Sequence, residues 1–145
     1  MAIDYGEINA RAVNLLLSVD KHVSSIEDKL KALVELRVSQ INGCVYCVDL
    51  HSNEARKAGE LQQRLDCLSV WRESRFFTDR EMAALNWAES VTNISAESDM
   101  ESKLNQLLEK FSEVEAVDLT LIISLMNSLN RLAISFGDKP SLRNE

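Results

Sequence analysis

The apolar residues Val114, Val117, Leu121, Leu125, Leu129, Leu132 and Phe136 step by three or four, the period of an α-helix. Between Leu119 and Phe136 the only charged residue is Arg131, so the helix is apolar on several faces and needs cover on more than one side. A chain of 145 residues has the size of one domain with one core, and residues 1–145 read as a single domain. So small a domain leaves part of that helix uncovered, which predicts a homo-oligomer with this helix or its neighbours in the interface. Ser124, Asn127, Ser128, Asn130 and Arg131 interrupt the stretch. Their transfer into lipid is expensive, so the expectation is a buried helix and no membrane span.

One proline and four glycines leave few places to turn, which predicts an all-α domain of long helices and short connections. Ala12, Leu15, Leu16 and Val19 have weak helical spacing. Ser24 and Ser25 stand three residues before Glu27 and Asp28, resembling capping boxes for a helix that runs through Leu30, Leu33, Val34 and Val38 to Asn42-Gly43. Residues 44–58 continue with helical spacing and stop at Gly59, a residue suited to positive φ. A short helix over 60–70 follows, then one over 79–94 with Thr78 and Glu81 as a capping box. Ser98 and Asp99 open another, ending near Phe111. The last helix has Ser112 three residues before Glu115, and Gly137 and Pro140 terminate it. No strand, linker or internal repeat is evident.

A formal net charge of −7 disfavours nucleic acid and anionic membranes, since both reward clustered Lys and Arg. The opening MAIDYGEINARAVN lacks a basic segment followed by an apolar run, so it does not read as a secretory signal, and a cytoplasmic protein is expected. In that reducing compartment a CxxC pair does redox chemistry or binds metal more often than it builds a structural disulfide.

The pair is Cys44-Val45-Tyr46-Cys47, with His51 four residues on. At about 100° per residue, Cys47 lies about 300° and His51 about 340° from Cys44, so all three project from one helix face. Free N–H groups and the macrodipole favour a thiolate at Cys44 if it opens the helix, and a protonated His51 would favour one at Cys47. Lowered pKa values make the reactive thiolate abundant, and a second thiol three residues away can resolve a sulfenic acid as a disulfide. Cys67 has no spaced partner and sits among Leu65, Leu68 and Val70, where it reads as core.

The stretch LRVSQINGCVYCVDLHSNEARKAG, residues 36–59, resembles the signature of the carboxymuconolactone decarboxylase superfamily, and specifically its alkylhydroperoxidase D-like (AhpD-like) branch. Ser39, Gln40, Asn42, Gly43, Cys44, Tyr46, Cys47, His51 and Ala55 carry the match. The resemblance extends to WRES with FF, EMAALNWAESVT and NSLNRLAISF, and so covers most of the chain. It implies a peroxidase in which Cys47 attacks the hydroperoxide, Cys44 resolves the sulfenic acid, and His51 and a glutamate relay protons, with no cofactor. Family members place that glutamate twelve residues before the first cysteine, where this chain has Ala32. Glu35, one turn later, or Glu89 from another helix stands in for it. The resemblance further implies small organic hydroperoxides as substrates, a lipoyl or thioredoxin-like dithiol protein as reductant, and trimers or hexamers.

Three other functions compete. Two thiolates and an imidazole could hold zinc, but His22 and Cys67 lack the spacing of a fourth ligand, and no metal is expected. A non-catalytic dithiol sensor or carrier would form the same disulfide. The namesake lactone decarboxylases, as the resemblance implies, do not depend on a CxxC pair.

Overall fold

The structure is a computed structural model that describes residues 2–144, and every regular element among them is helical. In chain order these are α1 (Tyr5–Ile8), α2 (Ala10–Ser18), a 3-10 turn (Val19–His22), α3 (Asp28–Asn42), α4 (Val45–Lys57), α5 (Gln62–Asp66), a 3-10 segment (Leu68–Glu73), α6 (Asp79–Thr92), α7 (Met100–Leu108) and α8 (Glu113–Phe136).

The capping boxes expected at Thr78/Glu81 and Ser112/Glu115 both form. The one expected at Ser24 and Ser25 does not. Ser25 gives its backbone N–H and its hydroxyl to Asp118 of α8, at 3.1 and 2.6 Å. With that hydroxyl engaged across the fold, α3 starts later, at Asp28, and has no side-chain cap. The helix expected over 60–70 is broken: α5 ends at its C-cap Cys67, which takes φ −98° and ψ 4°, and the chain passes into the 3-10 segment, itself kinked at Val70 with φ −119° and ψ 29°. Cys67 is half-buried rather than core, while its neighbours Leu65 and Leu68 point inward.

α3 is the central helix and packs on α4, α6 and α8. Its sequence provides for this with apolar residues on two sides. Leu30, Val34 and Val38 join a core with Trp87 of α6, Leu107 of α7 and Ile123 and Met126 of α8, whereas Leu33 and Leu36 face a second core with Ala55, Leu68, Trp71 and Leu85. Burying each such leucine contributes about 1.5–3 kcal/mol.

α8 is long and apolar enough to cross a membrane by composition, yet it lies against α3 and α6 as a core helix. Its buried residues are Ala116, Leu119, Ile122, Ile123, Leu125, Met126, Asn130 and Ala133. Of the seven stepping positions only Leu125 is buried; Val114, Val117 and Leu121 are exposed, and Leu129, Leu132 and Phe136 are half-buried. At about 100° per residue the stepping set centres roughly 120° round the helix from the core face, with Leu125 common to both, so α8 carries two apolar stripes and this chain leaves much of one uncovered. α2 likewise buries none of its residues.

A polar seam runs between α3 and α8. Asn130, fully buried, donates from Nδ2 to Ser39 Oγ at 3.1 Å and accepts at Oδ1 from Asn42 Nδ2 at 2.9 Å. Asn42 Nδ2 also donates to Asn127 Oδ1 at 2.9 Å, and Ser39 Oγ donates to the Glu35 carbonyl at 2.8 Å. Buried amides are tolerated only when satisfied in this way. Asn130→Ala should lower the unfolding free energy by about 2 kcal/mol through two lost hydrogen bonds and the space left behind. Ser124→Ala, at an exposed position of the same helix, should change it by less than about 0.5 kcal/mol. Urea midpoints that coincide for the two variants would contradict a structural role for the seam.

Candidate active site

α3 ends where Gly43 takes φ +71°. Its N–H donates to the Gln40 carbonyl at 3.2 Å and that of Cys44 to the Ser39 carbonyl at 3.1 Å, closing the helix end. A Cβ on Gly43 would meet nothing within 4 Å, so the requirement for glycine is the left-handed backbone and not space. The chain then turns directly into α4, with Cys44 as its N-cap: Cys44 Sγ accepts from the Cys47 N–H at 3.3 Å. A sulfur in that place sits at the positive end of a helix, where a thiolate is favoured.

The structure holds Cys44 and Cys47 as a disulfide, with Cα atoms 5.3 Å apart. The two residues are 1% and 4% exposed and pack on Ala133 of α8. Val45, Tyr46 and Leu50 on the outer side of α4 are exposed. His51 and Ala55 continue the buried face of α4, so Cys47 and His51 are one turn apart on it.

Glu35 reaches this face from α3. Its Oε2 lies 3.7 Å from His51 Nδ1, and its side chain is 15% exposed. Burial pushes its carboxyl up to about 7, against the pull of Lys31 one turn earlier on α3. Lys31 is in turn paired with Asp20 of the 3-10 turn. Burial also lowers the pKa of His51, although the neighbouring Glu54 works to raise it. The resting ring is therefore neutral near neutral pH. Of the two roles open to it, accepting a proton from Cys47 suits a neutral imidazole, whereas stabilising the thiolate as a resident cation does not.

Glu89 lies elsewhere. It accepts from Arg37 Nε at 3.0 Å and Trp71 Nε1 at 2.9 Å, and pairs with Arg72. Burial alone would raise its pKa, but these donors from Arg72, Trp71 and Arg37 outweigh it and hold the carboxylate below its usual range. It clamps α3 and the 3-10 segment to α6. Of the residues singled out in the sequence, the fold thus gathers Cys44, Cys47, His51 and Glu35 and leaves Glu89 apart. Glu54, whose Oε2 is 3.1 Å from His51 Nδ1, was missed, although its place three residues after a histidine on one helix face was a readable signal. Among the described residues no three of His, Cys, Asp and Glu are arranged to hold a metal ion.

The model of the carboxymuconolactone decarboxylase family matches residues 8–90, more than half of the chain. The chain belongs to that family. Within it the chain falls in the AhpD-like branch. The uncharacterized Bacillus subtilis protein YdfG is 37% identical over 139 residues, which span 94% of this chain and 95% of YdfG. A crystal structure from Agrobacterium tumefaciens, of a protein of unknown function proposed as the antioxidant defence protein AhpD, superposes with a TM-score of 0.93 at 33% identity, over 98% of this chain and 99% of its own. The debrominase Bmp8 shares the fold alone, with a TM-score of 0.81 at 23% identity over 94% of this chain and 74% of its own.

The buried carboxyl of this AhpD-like protein has a signature in stability. Glu35 binds its proton more tightly folded than unfolded, so it opposes folding increasingly as pH rises from 4.5 to about 7, and by a constant amount above that. Glu35→Gln removes this penalty. The variant should match the parent near pH 4 and exceed it at pH 8 by up to about 3 kcal/mol. Denaturant unfolding across that range checks it, and a parent more stable than the variant at pH 8 would contradict a desolvated Glu35.

Proposed function

We propose that this AhpD-like protein is a thiol-dependent peroxidase that reduces small organic hydroperoxides through Cys44 and Cys47. One observation carries the reading: an ionisable pair, Glu35 and His51, is buried on the same face as the two cysteines. Inert core cysteines have no need of a desolvated base, and burying one is costly. The debrominase fold-mate makes clear that the fold alone does not choose the chemistry.

In the reduced protein His51 accepts the Cys47 proton. The thiolate attacks the hydroperoxide, the O–O bond breaks, and Cys47 becomes a sulfenic acid while the departing alkoxide takes a proton from His51 and leaves as an alcohol. Cys44 then attacks the Cys47 sulfur. An S–S bond forms and the sulfenic hydroxyl departs as water, taking the one further proton it needs from the Cys44 thiol by way of the His51–Glu35 pair. An external dithiol supplies two electrons and two protons to restore both thiols. The sum is hydroperoxide plus dithiol giving alcohol, water and disulfide. A lipoyl or thioredoxin-like protein of the cytoplasm suits the dithiol role. The uncovered stripe of α8 and the unburied α2 support a homo-oligomer, and the family resemblance implies a trimer or hexamer.

Cys47→Ser should react with a small hydroperoxide only at the background rate, whereas Cys44→Ser should consume one equivalent and stop with a sulfenate on Cys47. A fast phase retained in Cys47→Ser with the sulfenate on Cys44 would reverse the roles. Unchanged consumption in both would leave a dithiol sensor or carrier as the better reading. Glu35→Gln should slow thiolate formation about tenfold, less than the roughly hundredfold or more of a direct general base because Glu35 acts through His51, and Glu89→Gln should slow it far less. The opposite ranking would move the relay to Glu89.

A further inference from the structure

His51 has two carboxylates at one nitrogen. Nδ1 lies 3.1 Å from Glu54 Oε2 and 3.7 Å from Glu35 Oε2, so only Glu54 is at hydrogen-bond distance. The two acids differ in surroundings. The Glu54 side chain is 53% exposed, and that of Glu35 is 15%. The other charged groups acting on the ring are Lys31 of α3 and Asp20 of the 3-10 turn, which are paired with each other. Cys47 is one turn before His51 on α4 and Glu54 one turn after it, so the ring is flanked along its own helix by the thiol and by this acid.

One carboxylate cannot do both jobs this site requires. A neutral imidazole accepts a proton at one nitrogen only if the other carries the hydrogen, and which nitrogen carries it is set by the partner that holds it. Glu35, pushed up to about 7, carries its own proton for part of the time near neutrality. In that state only its neutral carbonyl oxygen can accept, a weaker partner for an Nδ1–H than a carboxylate, and at 3.7 Å it is beyond hydrogen-bond reach. Glu54 meets water, is closer to Nδ1, and can accept whichever state Glu35 is in. Resting on the peroxidase reading of this site, we propose that Glu54 is the positioning residue for His51, holding the hydrogen on Nδ1 so that Nε2 is the nitrogen that accepts from Cys47. Glu35 is then left to exchange the proton with the ring, and the two acids divide orientation from transfer.

The test needs no peroxide. Nitrogen-15 NMR of the reduced protein, with the His22 signals identified through His22→Gln, reports which ring nitrogen of His51 is protonated. Alkylation of Cys47 by iodoacetamide in a Cys44→Ser background reports thiolate formation. The parent should show the hydrogen on Nδ1. Glu54→Gln, whose amide oxygen still accepts, should keep it there and alkylate within about twofold of the parent, whereas Glu54→Ala should move hydrogen to Nε2 and slow alkylation about tenfold at neutral pH, the low end for losing the carboxylate behind an imidazole. Glu54 is exposed, so both variants should fold. The proposal is overturned if Glu54→Ala keeps the hydrogen on Nδ1, if it alkylates like the parent, or if Glu54→Gln loses as much as Glu54→Ala. A protein that meets these expectations and yet ignores hydroperoxide would reject the peroxidase reading while leaving the role of Glu54 intact.

Discussion

The register of α3 against α8 is the constraint on which the site depends, and the hydrogen bonds around Asn130 set it. Apolar packing alone would let two helices slide by a turn with modest loss, since leucine and isoleucine contacts are forgiving. A buried amide is not forgiving, because any shift strands its N–H and C=O groups at a cost well above that of an imperfect apolar contact. Ser39 and Asn42 meet Asn130 at 3.1 and 2.9 Å. They bracket the last turn of α3, which places Gly43, the start of α4, and through them the cysteines against Ala133. One turn back along α3, the same seam fixes Glu35, whose carbonyl takes the Ser39 hydroxyl.

The chemistry follows from burial more than from charge pairing. A hydrated glutamate and a hydrated histidine would meet at neutral pH as an ion pair. Here burial drives the carboxyl up to about 7 and the imidazole down, so near neutrality the imidazole is neutral, the carboxyl is present in both forms, and a proton can move between them at little cost. Glu89 is the contrast within the same molecule. Its side chain is shielded to the same degree, 16% exposed, but three donors converge on it, and it stays a structural anion.

The site was more legible in the sequence than the packing was. The spacing of Cys44, Cys47 and His51 permits one geometry on a helix, and Gly43 marks the turn before it. Thr78 with Glu81 and Ser112 with Glu115 are local signals, complete within four residues, and they form as expected. Ser24 and Ser25 presented the same pattern and failed, because the partner of Ser25 is Asp118, 93 residues away. The apolar steps of α8 were real, but a helix with two apolar stripes does not say which one faces inward; only the positions of α3 and α6 decide that. Whether Glu35 or Glu89 stands beside His51 is likewise a matter of which helix crosses α4, and no local pattern carries it.

The most direct measurement is stopped-flow mixing of the fully reduced protein with one equivalent of a small organic hydroperoxide, followed by mass analysis of the peptide that holds Cys44 and Cys47. The account predicts a fast phase that consumes the equivalent and leaves the peptide lighter by two hydrogens, with the free thiol of Cys67 unchanged. A peptide that keeps both thiols while the hydroperoxide persists would contradict it.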